Sequence, residues 1–386
     1  MIYAARRTKE VSFMGGVVDA DTHIIEHEGI WEFMDKDLYS KRPVLLAGPS
    51  DTLYKGANGF WLIDGSIVPK PAGKGSVAMA NPASDNEKAR IDIDQDVREL
   101  TNPVARIRDM DARDVDIEVI FSTLFITYLT DDAELEVALC RAYNRYMAHA
   151  CKDSGGRLQW VAVLPLRSIE DSVLEMNVAK EKGAAGVLFR GVEGDRSLAE
   201  AYFFPVYAEA SRLNLPICVH TGAGSPGLSQ VFDRTISHNL PHVRSLPLFA
   251  FRDLVAHKIP ERFPDLRIGF IEAAASWIPY VVHHLRRAAK APAQWLGGGG
   301  TPEDDEWGPK MFRDNRLFVA LESDEDIPYL LNFIGEDNVI IGSDYGHQDQ
   351  SRDVGVVATL KAREDISAVA KEKILSTNPR RFYGLN

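Results

Sequence analysis

The sequence has little cysteine and no long apolar run. Its 386 residues include three cysteines that lie far apart along the chain: Cys140, Cys151 and Cys218. An odd, scattered set excludes a disulfide framework and a CxxC metal site, and it is typical of a reducing compartment. No stretch approaches 18 apolar residues, and the first thirteen residues lack the apolar segment of a signal peptide. We therefore expect a cytoplasmic protein without a membrane span.

The sequence also has fewer positively charged residues than negatively charged ones. The chain carries 44 Lys and Arg against 56 Asp and Glu, for a net charge of −12. This balance argues against nucleic acid or an anionic membrane as the main partner. The 45% hydrophobic and 26% charged residues are ordinary for a globular protein. A small molecule is therefore the partner that we expect, in a homo-oligomer by base rate, with a heteromer as the alternative.

Eight short apolar runs alternate with helix-like stretches such as 131–151 and 169–182. The runs end near His23, Phe121, Pro165, Arg190, His220, Glu272, Glu322 and Asp344. Most are apolar at consecutive positions, which is typical of parallel strands covered on both faces. This alternation predicts an α/β fold, a distorted (β/α)8 or TIM barrel, in one domain that spans residues 1–386.

Two segments are too long for plain connections between a strand and a helix. Residues 40–105 form an insertion after the first strand; Asn58-Gly59 and Asp64-Gly65 in it are typical of tight turns, and the second pair is expected to close a hairpin. Residues 291–315 are expected to form a loop at the barrel rim. Each segment either shapes the pocket or forms a peripheral surface, such as a contact between subunits.

Ionisable side chains stand at the ends of four strands. Asp21 and His23 share a face of the first strand because alternate residues point the same way, and Asp19 joins them if the strand is regular. The fifth, sixth and eighth strands end in His220, Glu272 and Asp344. Because the carboxyl ends of barrel strands converge on one axis, these residues predict a divalent-metal site. Each residue alone has a structural alternative, such as a helix cap or a satisfied core histidine.

Longer segments carry a family resemblance. They include VVDADTHIIE, KEKGAAGVLFRG, LPICVHTGAG, ERFPDLRIGFIE and IIGSDYGHQD. On these segments the chain resembles the amidohydrolase superfamily, and within it the amidohydrolase-related branch with aminocarboxymuconate-semialdehyde decarboxylase and the resorcylate-type decarboxylases. The two long segments described above resemble it least.

The resemblance implies roles for individual residues. Asp21 and His23 match the H-x-H pair of the family's first strand, with Asp in place of the first His, and His220 matches its fifth-strand ligand. Asp344 matches the Asp that binds metal and handles the proton of a bound water. Glu272 stands where the decarboxylases usually carry a catalytic His, so it is expected to be a ligand or a base. The implied ligand set is Asp21, His23, His220, Glu272 and Asp344.

Other residues have secondary candidate roles. His347 and Arg190 are expected to bind or protonate the substrate with Asp344 as the catalytic group; for Arg190, an ion pair with a loop Asp is the alternative. Glu26 matches a recurring family Glu that orients a ligand. His238 and His242 are further candidates for the pocket.

Together these features predict a metal-dependent hydrolase or non-oxidative decarboxylase of a small carboxylic acid. The mixed oxygen and nitrogen ligands suit Zn, Mn or Fe, with one or two metals. The alternatives are a dinuclear non-haem Fe or Fe/Mn oxygenase on the same barrel, and a non-catalytic partner subunit.

Overall fold

The apolar runs of the sequence form strands of one large sheet in a computed structural model of the chain. The structure describes residues 15–49, 51, 58–70, 73–76, 93–231, 244–290, 307–347 and 351–385. In these residues the strands are β1 (Val18–Ile24), β2 (Val44–Ala47), β3 (Gly59–Ile63), β4 (Ser66–Val68), β5 (Ile117–Ser122), β6 (Leu158–Ala162), β7 (Ala184–Arg190), β8 (Val192–Glu193), β9 (Arg196–Ser197), β10 (Ile217–His220), β11 (Ile268–Ile271), β12 (Leu317–Leu321) and β13 (Val339–Ile341).

Helices separate the strands of the large sheet. The α-helices are Gln95–Arg98, Pro103–Ala112, Ala133–Cys151, Ile169–Glu181, Phe204–Arg212, Pro226–Ser229, Ser245–Ala256, Ile259–Arg262, Ile278–Ala289, Pro309–Asp314, Ile327–Ile334, Val356–Ala362, Ala368–Glu372 and Asn378–Tyr383. Short 3-10 helices cover Glu28–Phe33, Tyr39–Lys41, Leu124–Ile126 and Ala201–Phe203, and a π-helical turn covers Lys373–Thr377.

The large sheet closes into a nearly complete barrel. Its strands follow the order β1-β5-β6-β7-β10-β11-β12-β13, and all of its described ladders are parallel. The last strand meets the first through the chain that follows β13, where the N–H of His23 donates to the carbonyl of Tyr345 (2.7 Å) and the N–H of Asp344 donates to the carbonyl of Asp21 (3.0 Å). The predicted distorted (β/α)8 barrel is confirmed.

Burial and helix caps explain the local structure. Every residue of β10, β11 and β12 is buried, as expected for strands covered on both faces. The helix predicted from residue 131 begins at Ala133 because Asp132 is its N-cap, with its carboxylate accepting from the N–H groups of Glu134 and Leu135. In the described part of the chain, no helix combines the length and apolarity that a membrane span requires.

The insertion after β1 contains a small antiparallel sheet in the order β2-β3-β4. Asp64 and Gly65 both have positive φ (48° and 73°) and close the β3–β4 hairpin, as predicted. The tight turn predicted at Asn58-Gly59 is wrong, because Gly59 begins β3 and pairs with Ala47. Of the expected rim loop, residues 291–306 lie outside the described residues.

Candidate metal centre

Six ionisable side chains converge at the carboxyl end of the barrel. This ligand cluster consists of Asp21, His23, His220, Glu272, Asp344 and His347. One ligand atom from each of Asp21, His23, His220 and Glu272 lies within 4.8 Å of the others, and a second set, His23, Glu272, Asp344 and His347, meets the same limit. The five predicted ligands are therefore neighbours in space, although they come from strand ends up to 323 residues apart in a chain of 386.

Four atoms of the first set face each other without hydrogen bonds. Nε2 of His23 lies 3.4 Å from Oδ1 of Asp21 and 3.7 Å from Oε2 of Glu272. Nε2 of His220 lies 3.5 Å from the same Asp21 oxygen and 3.3 Å from the same Glu272 oxygen. All four atoms are buried and none has a hydrogen-bond partner. Buried polar atoms without partners are costly, so two imidazole nitrogens and two carboxylate oxygens in this arrangement fit a divalent cation.

Backbone carbonyls set the orientation of both imidazoles. Nδ1 of His23 lies 3.2 Å from the carbonyl of Ser122, and Nδ1 of His220 lies 2.8 Å from the carbonyl of Thr221. A carbonyl only accepts, so each Nδ1 carries a proton. The neutral ring then presents the lone pair of Nε2 to the cluster, as metal-ligating histidines generally do.

Unusual backbone geometry orients the carboxylates of Glu272 and Asp344. Glu272 and Asp344 have φ of 53° and 51°, in the left-handed region that non-glycine residues rarely adopt. Such conformations concentrate at functional sites. Gly342 lets the chain after β13 approach β1, because a Cβ there would lie 2.3 Å from the Cβ of Asp21.

Opposite charges shift the pKa values of the cluster. Burial alone raises the pKa of the Asp21 and Glu272 carboxyls, but His220 and His23 hold both below their ordinary values. Burial and His347 lower the pKa of His23, but Asp21 and Glu272 raise it to about 9. His23 and His220, whose pKa values are both raised, therefore hold protons more tightly than free imidazoles, and a cation that binds there displaces those protons.

Asp19 does not join the cluster, because β1 is not the regular strand on which that expectation depended. The register of β1 against β5 shifts between Asp19 and Thr22, and this irregularity changes the side to which Asp19 points. Its carboxylate instead accepts from the N–H (2.8 Å) and the hydroxyl (2.5 Å) of Ser343 and from Arg113 (3.2 Å). Burial, partly offset by Arg113, raises the pKa of Asp19 to about 6. Through its hydrogen bonds with Ser343, Asp19 thus stabilises the segment that carries Asp344.

Asp19 belongs to a second buried group of charges, which we call the ion network: Asp19, Arg106, Arg113 and Glu118. Nε of Arg106 donates to Glu118 over 2.7 Å, and Arg113 also pairs with Glu118. Both guanidinium groups stack on the ring of Tyr345, at 4.1 and 3.9 Å from its centroid. The network therefore supports the residues next to Asp344.

Arg190 is held in an ion pair. Its guanidinium donates to Glu193 from Nε over 2.9 Å, and Nη1 donates to the carbonyl of Thr127, also over 2.9 Å. The side chain is 11% exposed. This resembles the alternative considered from the sequence, with a Glu in place of the Asp, while substrate binding by Arg190 stays a prediction.

Sequence reasoning missed the residues that hold the ligands in place. Thr123 contacts His347, and Ser351 donates to Oε1 of Glu272 over 3.0 Å. Glu26 contacts the cluster only indirectly, since it accepts from the hydroxyl of Ser122 (2.5 Å) and the N–H of Leu124 (2.9 Å). The Ser-Thr pair directly after the apolar run of β5 was the available signal. His238 and His242 lie outside the described residues.

The amidohydrolase family profile matches residues 18–385. The chain belongs to this family. A 2-amino-3-carboxymuconate-6-semialdehyde decarboxylase of Dictyostelium discoideum is 22% identical over 289 residues, which cover 74% of this chain and 77% of its own. These matches confirm the family resemblance found in the sequence. They also confirm the prediction that the chain is an enzyme.

Solved structures share the fold of this amidohydrolase. An amidohydrolase from Mycobacterium avium subsp. paratuberculosis has a TM-score of 0.70 at 20% identity, with 97% of this chain and 99% of that chain covered. A 5-carboxyvanillate decarboxylase from Novosphingobium aromaticivorans, with bound manganese and 3-methoxy-4-hydroxy-5-nitrobenzoic acid, has a TM-score of 0.67 at 16% identity, with 96% and 97% covered.

Proposed function

We propose that this amidohydrolase is a metal-dependent non-oxidative decarboxylase or hydrolase of a small carboxylic acid. The proposed ligands are Asp21, His23, His220, Glu272 and Asp344. The observation that carries the proposal is the convergence of four buried ligand atoms without hydrogen bonds at the mouth of the barrel. Relatives named as decarboxylases of carboxylic acids, one of them with bound manganese, support the substrate class and a divalent metal.

The residues of the cluster suit proton transfer beside the cation. A bound divalent cation supplies Lewis-acid chemistry, which polarises a carbonyl or carboxylate and lowers the pKa of water. In hydrolysis, Asp344, whose Oδ1 lies 2.8 Å from Nδ1 of His347, accepts the proton of the attacking water and returns it to the leaving group. In decarboxylation, the same pair delivers the proton that replaces CO2 on the substrate carbon. Glu272 acts as a ligand, and Arg190 remains a candidate for binding the substrate carboxylate at the rim.

Metal analysis combined with substrate screening tests this proposal. We expect the chain, purified without added metal or chelator, to hold about one Zn, Mn or Fe per chain. Screening then follows CO2 release from aromatic and unsaturated carboxylic acids, and hydrolysis of amides and lactones. Chelation is expected to abolish turnover and metal addition to restore it. Full metal content and activity in Asp344→Ala or His220→Ala would contradict the site assignment.

A second candidate is an O2-dependent oxygenase with two Fe ions or an Fe/Mn pair. The specific observation in its favour is that two four-residue ligand sets overlap in His23 and Glu272. Iron or manganese near two per chain, with O2 consumption that depends on substrate and an electron donor, would favour it over hydrolysis or decarboxylation. One Zn per chain without O2 consumption would exclude it.

Cellular location and assembly are separate proposals. We expect a cytoplasmic homo-oligomer, with a heteromer as the alternative. Light scattering of the purified chain measures its mass, and a single monomeric species of 42.9 kDa would contradict the oligomer.

A further inference from the structure

The two carboxylate oxygens of Glu272 have different surroundings. Oε2 is buried without a hydrogen-bond partner and lies 3.7 Å from Nε2 of His23 and 3.3 Å from Nε2 of His220. Oε1 instead accepts from the hydroxyl of Ser351 over 3.0 Å. A carboxylate turns as a unit, so a contact at one oxygen also fixes where the other oxygen points. The hydroxyl of Ser351 therefore helps to keep Oε2 facing the two histidines.

Arg244, which directly precedes helix Ser245–Ala256, orients this hydroxyl. Its Nη2 donates to Oγ of Ser351, and its Nη1 donates to Oε1 of Glu322 over 2.5 Å. A guanidinium has donors but no acceptor, and it keeps its protons in proteins. Oγ of Ser351 therefore accepts from Arg244, and its hydroxyl proton is donated onward to Glu272. The contacts form a relay with one direction, from Arg244 through Ser351 to Glu272.

Glu322 fixes the position of Arg244. Its carboxylate neutralises the guanidinium, and the side chains of Arg244 and Glu322 are 17% and 31% exposed. The N–H of Glu322 donates to Oε2 of Glu325 over 2.9 Å, and Oε1 of Glu325 accepts from the N–H of Ser276 over 2.7 Å. Ser276 lies four residues after Glu272. The acidic partner of Arg244 is thus tied to the segment whose carboxylate the relay orients.

We propose that Arg244 is a positioning residue, which acts through the hydroxyl of Ser351 to hold Oε2 of Glu272 towards the metal position. The inference rests on the proposed metal-dependent function and adds to it a residue from outside the ligand cluster. Without Arg244, the hydroxyl of Ser351 loses the donor that orients it, and the carboxylate of Glu272 is less restricted. A cation then has to order both side chains, so it binds more weakly.

Cobalt titration of a double-mutant cycle tests the relay. The variants are Arg244→Met, Ser351→Ala and the double variant. Each metal-free protein is titrated with Co²⁺, and binding is followed by visible absorption. We expect each single substitution to raise the Kd for Co²⁺ about 10- to 100-fold. Because both substitutions remove the same relay, the double variant should bind Co²⁺ no more weakly than either single variant.

Controls separate positioning from a general loss of structure. Ser351→Thr keeps the hydroxyl and should keep the native Kd. Arg252→Met makes the matched change at an arginine of the adjacent helix that is 51% exposed and pairs with Asp253, and it should also keep the native Kd. The absorption spectrum of bound Co²⁺ should change in the same way in Arg244→Met and Ser351→Ala, since both leave Glu272 without the same contact.

Several results would overturn the inference. An unchanged Kd in Arg244→Met, or losses that add in the double variant, would show that Arg244 does not act through Ser351, and would leave the proposed function intact. A loss in Ser351→Thr as large as that in Ser351→Ala would show that the hydroxyl is not responsible. Native protein that binds no Co²⁺ would overturn the proposed function as well. If Arg244→Met fails to fold, Arg244→Gln replaces it with the same expected results.

Discussion

Two buried groups of charged residues lie side by side in this barrel, and they are neutralised in different ways. In the ion network, two carboxylates face two guanidinium groups, which do not lose their protons in proteins. In the ligand cluster, three carboxylates face three imidazoles, which carry charge only when protonated.

The difference separates structural charge from functional charge. The ion network is neutral by its own composition and needs no further group. The ligand cluster is compensated only when protons or a cation are present, because its positive charge depends on protonated imidazoles. Buried carboxylates in this barrel therefore differ in function. Those paired with permanently charged guanidinium groups are structural, whereas those paired with imidazoles are candidates for binding a cation.

The largest expected effect comes from removing a ligand. We expect His220→Ala to lose bound metal and to lower turnover at least about a thousandfold, because the cation provides the main stabilisation of developing charge. Elemental analysis and steady-state kinetics measure both effects. His257→Ala, an exposed histidine at the end of helix Ser245–Ala256, is the control and should match the native protein. Native metal content and rate in His220→Ala would refute the prediction.

Substitution in the ion network is expected to reduce stability rather than metal binding. Glu118→Ala leaves Arg106 and Arg113 buried beside one remaining carboxylate, so the free energy of unfolding should fall by about 3–5 kcal/mol. Urea unfolding in the presence of a chelator measures this loss without a contribution from metal. Glu364→Ala, at an exposed position, should change it little. A loss that appears only in metal-loaded protein would contradict the distinction between the two groups.

The pH dependence of stability should also reveal whether a cation occupies the ligand cluster. The pKa of His23 is raised from 6.5 to about 9, so its contribution is fully present below pH 6.5 and is lost as pH rises through 9. Metal-free protein should therefore lose about 3 kcal/mol across this range. Metal-loaded protein should lose less, since the cation replaces the protons. Thermal unfolding with and without chelator compares the profiles, and parallel curves would argue against a metal site at His23.

The smallest effect is expected at the residue that joins the two groups. The hydroxyl of Tyr345 donates to Asp109 over 2.5 Å, while its ring lies under both arginines. Tyr345→Phe keeps the ring and removes the hydrogen bond, so we expect a loss of about 1 kcal/mol in stability with unchanged metal content. Chemical unfolding and elemental analysis test this, and loss of metal would show that the two groups are not independent.

The sequence predicted the parts of the fold that depend on local pattern. Consecutive apolar runs predicted the eight barrel strands, and Asp64-Gly65 predicted a hairpin because its two residues adopt positive φ readily. The turn at Asn58-Gly59 was wrong because pairing of Gly59 with Ala47 extends β3 there. The same dipeptide type therefore has different outcomes when strand pairing competes with turn preference.

Local spacing also failed where a strand is irregular. Asp19 and Asp21 are two residues apart, so a regular strand places them on one face. The shifted register of β1 separates them, and Asp19 joins the ion network while Asp21 faces the cluster. Pairing of Arg190 with Glu193 likewise depends on how the chain after β7 folds back, which the strand pattern does not contain.

By itself, the sequence determined which chemistry this protein can carry: eight apolar runs that alternate with helical stretches predict a barrel, and the strand ends hold the carboxylates and imidazoles. Only the tertiary structure decided how these groups act. A hydrogen-bond partner from a distant segment sets which nitrogen of His23 faces inward, because its Nδ1 lies 3.2 Å from the carbonyl of Ser122. Proton placement depends on contacts within about 3 Å, and residues far apart in the chain supply those contacts only after the barrel closes.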